Sequence, residues 1–252
     1  MKYSKCFCII LITLLLPAMS YAIGFEIAAN AWYPSSPGEV SNDPIFPRDI
    51  LDIKDDLGYG KDWRVSGRAK LDIPLLPNIY LMATPLEYDG TGIKNSIFKF
   101  GDMYYGADNY FDSKLTLNMY DVGLYYGIPF LELASAGIFN VELGLDARIL
   151  DASIEVKQGI VVESKKFKTA YPLVYVGARV CPISKLAVEA EARGVSYSNI
   201  NILSLIGRIK ISPFGPLFIA GGYRYESFDI KVKDITLDAA FKGPFAEAGI
   251  QF

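Results

Sequence analysis

The chain has 252 residues, of which 51% are hydrophobic, and it carries a formal net charge of −3. This acidic balance argues against a nucleic-acid partner. Beyond the first residues no apolar run approaches the roughly 20 residues of a helical membrane span. The apolar side chains must therefore be dispersed along the sequence, as alternating strands disperse them.

The N-terminal end of the sequence predicts a secretory signal peptide over residues 1–22. Lys2 and Lys5 precede an apolar run and a small-residue cleavage site that ends at Ala22. The apolar run is too short to cross a membrane as a helix. We therefore expect cleavage after Ala22, export, and one domain over residues 23–252.

Alternation of apolar and polar residues predicts about ten strands along the rest of the chain. In chain order they cover residues 23–33, 63–73, 79–84, 114–128, 139–149, 170–180, 186–193, 203–211, 217–226 and 243–252. The phase of the alternation slips within the fourth strand, which predicts a β-bulge near Tyr120 and Asp121. The fifth and sixth strands are expected to extend as a hairpin above a membrane.

The connections between these strands alternate in length. Every second one is short and contains proline, whereas most of the others are longer and polar. This asymmetry is typical of outer-membrane barrels, with short periplasmic turns and longer extracellular loops. The two longest loops, 34–61 and 88–110, are of a length that is usually functional or mobile.

Alternation alone leaves open a membrane barrel with its apolar face outward and a soluble, lipocalin-like barrel with that face inward. The polar faces carry nearly balanced charges, and a narrow lumen favours such balance because an isolated buried charge costs several kcal/mol. The candidate lumen-lining charges are Arg64, Arg68, Lys70, Glu142, Asp146, Arg148, Glu189, Glu191, Arg193, Arg208, Arg224, Glu226 and Glu247.

Aromatic residues near the strand ends also fit the interfacial girdles of a membrane barrel. They are Trp32, Tyr33, Trp63, Tyr126, Tyr223, Tyr225 and Phe252. We therefore predict an all-β fold: a single-chain, antiparallel transmembrane β-barrel of about ten strands, with eight as the alternative. The last strand ends on the aromatic Phe252, as closing strands of such barrels do.

Several segments together resemble an uncharacterised family of Gram-negative outer-membrane β-barrel proteins. They include DLGYGKDW (56–63), PLLPNIYLMATPLEYDGTG (74–92), YDVGLYYGIPF (120–130), NVELGLDARI (140–149), VEAEARGVSYS (188–198), FGPLFIAGGYRYE (214–226) and GPFAEAGIQF (243–252). The resemblance implies location in the cell outer membrane, contact with its lipid and lipopolysaccharide, and recognition of Phe252 by the barrel-assembly machinery. It implies no catalytic residue and no cofactor.

The sequence offers little support for enzymatic chemistry. Small outer-membrane barrel enzymes resemble one another in using a histidine base, and this chain has no histidine. Glu189 and Glu191 have a spacing that a glycosidase could use, but a ladder of salt bridges with Arg193 explains them better. The aspartates of 49–56 lack the spacing of an EF-hand calcium loop. The lone mature cysteine, Cys181, excludes an intrachain disulfide.

These observations lead to three hypotheses for function. The first is a non-enzymatic barrel that contributes to outer-membrane integrity or passes small solutes slowly through a narrow lumen filled with salt bridges. The second is a surface binding or adhesion module that acts through loops 34–61 and 88–110. An enzyme is the third.

Overall fold

The structure, a computed structural model, describes residues 23–74, 76–128, 131–232 and 235–252. The predicted signal peptide lies outside the described residues. Ten long strands form the wall: β1 (Gly24–Trp32), β4 (Arg64–Asp72), β5 (Asn78–Ile93), β8 (Tyr110–Gly127), β9 (Phe139–Gln158), β10 (Val161–Ile183), β11 (Leu186–Tyr197), β12 (Ile200–Phe214), β13 (Leu217–Val232) and β14 (Ile235–Gln251). Four short strands lie in the loops: β2 (Gly38–Asn42), β3 (Leu51–Asp52), β6 (Phe98–Phe100) and β7 (Met103–Tyr105).

The ten long strands close on themselves as an antiparallel barrel. Neighbours in sequence are neighbours in the wall, and β1 completes the ring by pairing with both β4 and β14. The seam is finished by reciprocal backbone bonds, Phe25 N–H to Phe252 O at 3.2 Å and Phe252 N–H to Phe25 O at 2.9 Å. The predicted fold class, an antiparallel transmembrane β-barrel of about ten strands, is confirmed.

Both termini and the short turns lie at one end of the barrel, which we call the termini end; the opposite end is the loop end. In the half nearest the termini, outward side chains are apolar and exposed, for example Leu124, Leu143, Leu145, Val174, Leu205, Ile209 and Ile219. Inward side chains at the same height are mostly charged, polar or aromatic. An apolar belt around a polar interior is the arrangement of a membrane barrel.

Toward the loop end the two faces exchange character. On β8 the inward residues change from Asp121 near the termini end to Met119, Leu117 and Leu115, all buried. The outward residues change in the opposite sense, from apolar Val122 to polar side chains beyond Tyr120. The upper part of the barrel is therefore built like a soluble protein, with an apolar core and a polar surface.

This exchange explains the slip in sequence phase near Tyr120 and Asp121, and the predicted β-bulge there is wrong. β8 pairs with β5 and with β9 in unbroken register along its length. Inward residues alternate regularly through the slip, and only their polarity changes. The sequence phase slips because the strand passes from the apolar belt into a region with the opposite polarity on each face. No residue is inserted.

The loop that follows β1 forms part of the wall at the loop end. β1 and β4 are short, and β2 fills the space above them by pairing with the upper part of β14. On the other side of this loop, a Cβ at Gly92 of β5 would overlap the backbone oxygen of Asp56. Val40, Leu51 and other apolar residues of the loop are buried. The expectation of a mobile loop at 34–61 is therefore not supported.

The second long loop is shorter than predicted. Residues 88–93 belong to β5, and the rest includes the hairpin of β6 and β7, whose Phe98 and Tyr105 rings stack with centroids 4.9 Å apart. We call residues 33–63 and 94–109 together the cap. Its buried side chains join those of the upper strands in one apolar core.

The helical content is minor. One turn of 3-10 helix covers Pro47–Asp49, and α1 (Leu131–Ala134) lies in a turn at the termini end. No helix in the described part of the chain has the length and apolarity to cross a membrane.

Candidate functional site

The charged interior of the barrel is the candidate functional site. Strand alternation points the predicted lumen residues inward, and ten of the thirteen are buried: Arg68, Asp146, Arg148, Glu189, Glu191, Arg193, Arg208, Arg224, Glu226 and Glu247. Lys70 and Glu142 are half-buried near the termini end, and Arg64 is half-buried at the level of the cap. All thirteen therefore belong to strand faces that point into the barrel.

The upper layer of this interior is centred on Arg148. Its guanidinium donates to both carboxylate oxygens of Asp121, at 2.6 and 3.0 Å, and to Glu226 at 2.7 Å. All three side chains are fully buried. Because β9 and β13 are not neighbours in the wall, the bond to Glu226 crosses the lumen. Charge-assisted bonds of this bidentate type are the strong ones.

Arg224 extends the same layer to the opposite wall. Its Nε donates to Glu226 at 2.9 Å, and its Nη1 donates to the hydroxyl of Thr84 on β5 at 3.0 Å. The guanidinium also lies 4.6 Å from the ring centroid of Trp32. The hydroxyl of Ser204 donates a further hydrogen bond to the carboxylate of Glu226, at 2.7 Å.

The middle layer is a chain of alternating charges across the lumen. Arg193 donates to Asp146 at 3.2 Å and to Glu191 at 2.8 Å, and Arg208 donates to Glu191 at 2.6 Å. A bidentate pair joins Arg68 to Glu247 at 2.9 and 2.7 Å, and Arg208 lies 3.8 Å from the same carboxylate.

Aromatic rings close the space beside the middle layer. The guanidinium of Arg193 lies 4.2 Å from the ring centroid of Tyr80 and 4.9 Å from that of Tyr175. Arginine stacks on such faces while its edge N–H groups remain available for carboxylates. The cross-section at this height is therefore occupied by both charged and aromatic side chains.

The lower layer faces the termini end and is more open. Lys70 pairs with Glu142 at 3.2 Å, and Lys210 bridges Glu26 at 2.8 Å and Glu189 at 3.1 Å. A small pocket of about 40 Å³ lies among these groups and reaches Glu191 of the middle layer. The charged side chains of the middle layer are themselves buried.

Sequence reasoning missed several members of the network. Asp121 was assigned to a bulge, although it lies on the same face as the buried Met119 and is the main partner of Arg148. If the inward and outward positions are counted on through the slip without an inserted residue, Asp121 falls on the inward face, and this reading could have identified it. Trp32 was assigned to an interfacial girdle, but it is fully buried in the barrel, and its Nε1 donates to Gly243 O at 3.2 Å.

A second candidate site is the cap, where Asp49 is the central polar group. Its carboxylate accepts bonds from the backbone amides of Phe46 at 2.8 Å, Ile45 at 2.9 Å and Lys99 at 2.8 Å. Asp49 therefore ties the first loop to the β6–β7 hairpin. Burial by itself would raise the pKa of this carboxyl, but the amide bonds of Lys99, Phe46 and Ile45 hold it below its ordinary value.

The comparison with one solved structure supports the barrel fold, and two further matches have lower TM-scores. The outer membrane protease OmpT from Escherichia coli matches with a TM-score of 0.61 at 6% identity, covering 93% of this chain and 99% of that one. The translocator domain of the autotransporter NalP from Neisseria meningitidis matches with a TM-score of 0.45 at 10% identity, covering 99% and 96%. Neisserial surface protein A matches at 12% identity and a TM-score of 0.35, covering 90% and 97%.

No protein-family model and no curated protein sequence matches the chain. At 6% identity the likeness to the protease is a likeness of fold.

Proposed function

We propose that this protein is a non-enzymatic outer-membrane β-barrel whose closed, charge-filled lumen contributes to membrane integrity and passes small solutes slowly at most. In this proposal the termini end faces the periplasm, the loop end faces the outside, and the belt contacts lipid and lipopolysaccharide. The observation that carries the proposal is the set of buried ion pairs that cross the lumen, above all Arg148 with Glu226.

Charge balance supports a lumen that is closed rather than selective for one ion. Each buried arginine of the upper and middle layers has at least one carboxylate within bonding distance. Opening a path through these layers would separate paired charges in a confined, poorly hydrated space. This costs several kcal/mol for each ion that is left unpaired there. A stable wide pore is therefore not expected.

The decisive experiment is planar-bilayer conductance of the purified, refolded protein. We expect little or no stable conductance, and a large, weakly selective pore in the unmodified protein would overturn the proposal in favour of a general porin. Arg193→Ala should leave Asp146 without its ion-pair partner and Glu191 with Arg208 alone, lower stability and raise leakage. Arg179→Ala is the matched control, because its side chain is half-exposed at the termini end.

A surface-binding function remains a second candidate because the cap presents exposed apolar side chains. Ile45, Phe46, Ile97 and Tyr104 are each more than half exposed. Phe46→Ser combined with Tyr104→Ser should abolish binding of whole cells to host surfaces if this candidate holds. Unchanged binding, with the barrel still folded, would remove it.

A further inference from the structure

One long strand edge of the barrel is left without a strand partner at the loop end. β10 pairs with β9 without interruption from Val161 to Val180, but it pairs with β11 only from Val174 onward. Within the described residues, no backbone hydrogen bond reaches 161–173 on that side. The edge extends for about 40 Å at the usual rise of a strand.

Elsewhere at the loop end unpaired edges are shorter or filled by segments of the chain. β2 pairs with the upper part of β14, and Ser35 pairs with Lys242. β5 pairs with β4 only from Ile79 to Ala83, so its upper edge also lacks a strand partner, and residues 56–58 pack on its inner face at Gly90 and Gly92. The unpaired part of β10 is the longest of these edges among the long strands that the structure describes.

Backbone polarity shows which groups the edge offers. The amide of Cys181 donates to Ile138 O at 2.7 Å, on the β9 side. Amides alternate sides along a strand, and the register with β9 is unbroken, so the amides of Ser164, Lys166 and Lys168 point to the open edge. Pro172 has the same parity, so its missing N–H costs no bond to β9.

Charge on this edge favours one class of occupant. Lys165, Lys166 and Lys168 lie within the open segment, against the single acidic residue Glu163. Lys165 is within 3.7 Å of Glu163 and Lys168 is within 3.5 Å of Asp151. No ion pair to Lys166 is found in the described part of the chain.

Lysines on an open strand disfavour pairing with an identical strand. Two copies embedded in the same orientation would also present β10 in parallel and bring lysine toward lysine. An acidic strand meets neither obstacle, because opposite charges on paired strands stabilise each other.

We propose that the β10 edge from Val161 to Leu173 binds an extended acidic segment of another polypeptide by strand addition. Main-chain bonds to the amides of Ser164, Lys166 and Lys168 would hold the segment, and the lysines would select its charge. The site lies outside the lumen, so it does not depend on whether the lumen is closed.

The test uses the refolded full-length protein in lipid nanodiscs and a fluorescent peptide of about ten residues that alternates Glu with Val or Thr. Binding is measured by anisotropy, and hydrogen exchange follows the amides of β10. We expect saturable, salt-sensitive binding that protects the amides at 164, 166 and 168. A peptide of the same length with proline at alternate positions should not bind.

Two variants at one position separate backbone pairing from simple charge attraction. Lys166→Pro removes an edge-facing amide while leaving the bonds to β9, and should weaken binding about tenfold. Lys166→Gln keeps the amide and should weaken binding less while reducing its salt dependence. Heat-modifiable migration in gels checks that both variants fold.

The proposal would be overturned by the absence of acidic-peptide binding, by equal binding to the Lys166→Pro variant, or by equal binding of a lysine-rich peptide. Concentration-dependent dimers with protected β10 amides would instead identify a second copy as the occupant and would also reject it.

Discussion

Arg148 is the residue on which the interior network depends most. It holds Asp121 and Glu226, both fully buried, so Arg148→Met would leave Asp121 without its ion-pair partner and Glu226 with Arg224 alone. We expect a loss of about 3–5 kcal/mol in unfolding free energy, measured by urea unfolding in detergent. Lys114→Met, at an exposed lysine, is the control and should change stability little.

The backbone and the side chain of Phe252 have separable roles. Its backbone closes the seam with Phe25, whereas its ring is largely exposed and contributes little to packing. Phe252→Ala should lower the folded fraction in the outer membrane of cells, because the assembly machinery is expected to recognise the ring. It should leave stability after refolding in vitro nearly unchanged. Normal assembly of Phe252→Ala in cells would contradict this role.

The hydrogen bonds to Asp49 lead us to expect that the cap becomes less stable in acid. A carboxyl whose pKa is lowered by folding stabilises the folded form fully above its ordinary value of 3.8, and this contribution is lost as the pH falls through the folded value. Hydrogen exchange at the amides of Phe46 and Lys99 should therefore accelerate below that pH, beyond the intrinsic change.

The matched variants for this prediction are Asp49→Asn, which should weaken the pH response, and Asp102→Asn, at an exposed aspartate, which should preserve it. An unchanged response in Asp49→Asn would show that another group controls the cap.

Among the strands, β5 has glycine at the positions where the first loop packs against it, so the loop backbone can approach closely. A Cβ at Gly92 would overlap the backbone of Asp56, so Gly92→Ala should displace the loop and expose residues 33–63 to limited proteolysis. Gly60→Ala lies in the same loop with open space around its Cβ position and is the control. Equal protease resistance of the two variants would argue against a packed wall segment.

Elements of the lower barrel were predictable because each strand there has one environment on each face. Strands such as 139–149 alternate cleanly, and their boundaries follow from the pattern. The upper elements were not predictable in the same way. Residues 34–61 have no sustained alternation, because β2 and β3 are short and the loop is held by tertiary contacts such as those of Leu51 and Asp49.

The pairing of charges likewise lies beyond the reach of the pattern. Alternation identified Arg148 and Glu226 as inward residues, but it cannot say that strands four places apart approach closely enough to share an ion pair. That contact depends on the barrel's strand number and stagger. Asp121 was lost for a different reason, because polarity on one face was assumed to be constant along a strand.

For the whole molecule, the boundary between belt and upper barrel gives a paired test on β9. Leu143 and Ser153 both point outward, the first within the apolar belt and the second beyond it. Leu143→Arg should cost about 2–4 kcal/mol in lipid, whereas Ser153→Arg should cost about 0–1. Val176→Arg on β10 should behave like Leu143→Arg. Similar losses at Leu143 and Ser153 would contradict a belt that ends between them.

Ser204 faces inward, but it is not a position where a polar substitution should be mild. It is fully buried and bonded to Glu226, so even a polar replacement disturbs the upper layer.

The exchange of faces along β8 and β9 also fixes how deep the protein sits. Moving it toward its termini end by one residue pair would draw Asp151 and Lys168 into hydrocarbon, and moving it toward its loop end would bring Leu143 and its neighbours into water. Both displacements are penalised, so the barrel has one preferred height. In a bilayer thicker or thinner than its belt, the lipid should deform around the protein. The protein would then set the local thickness of the membrane.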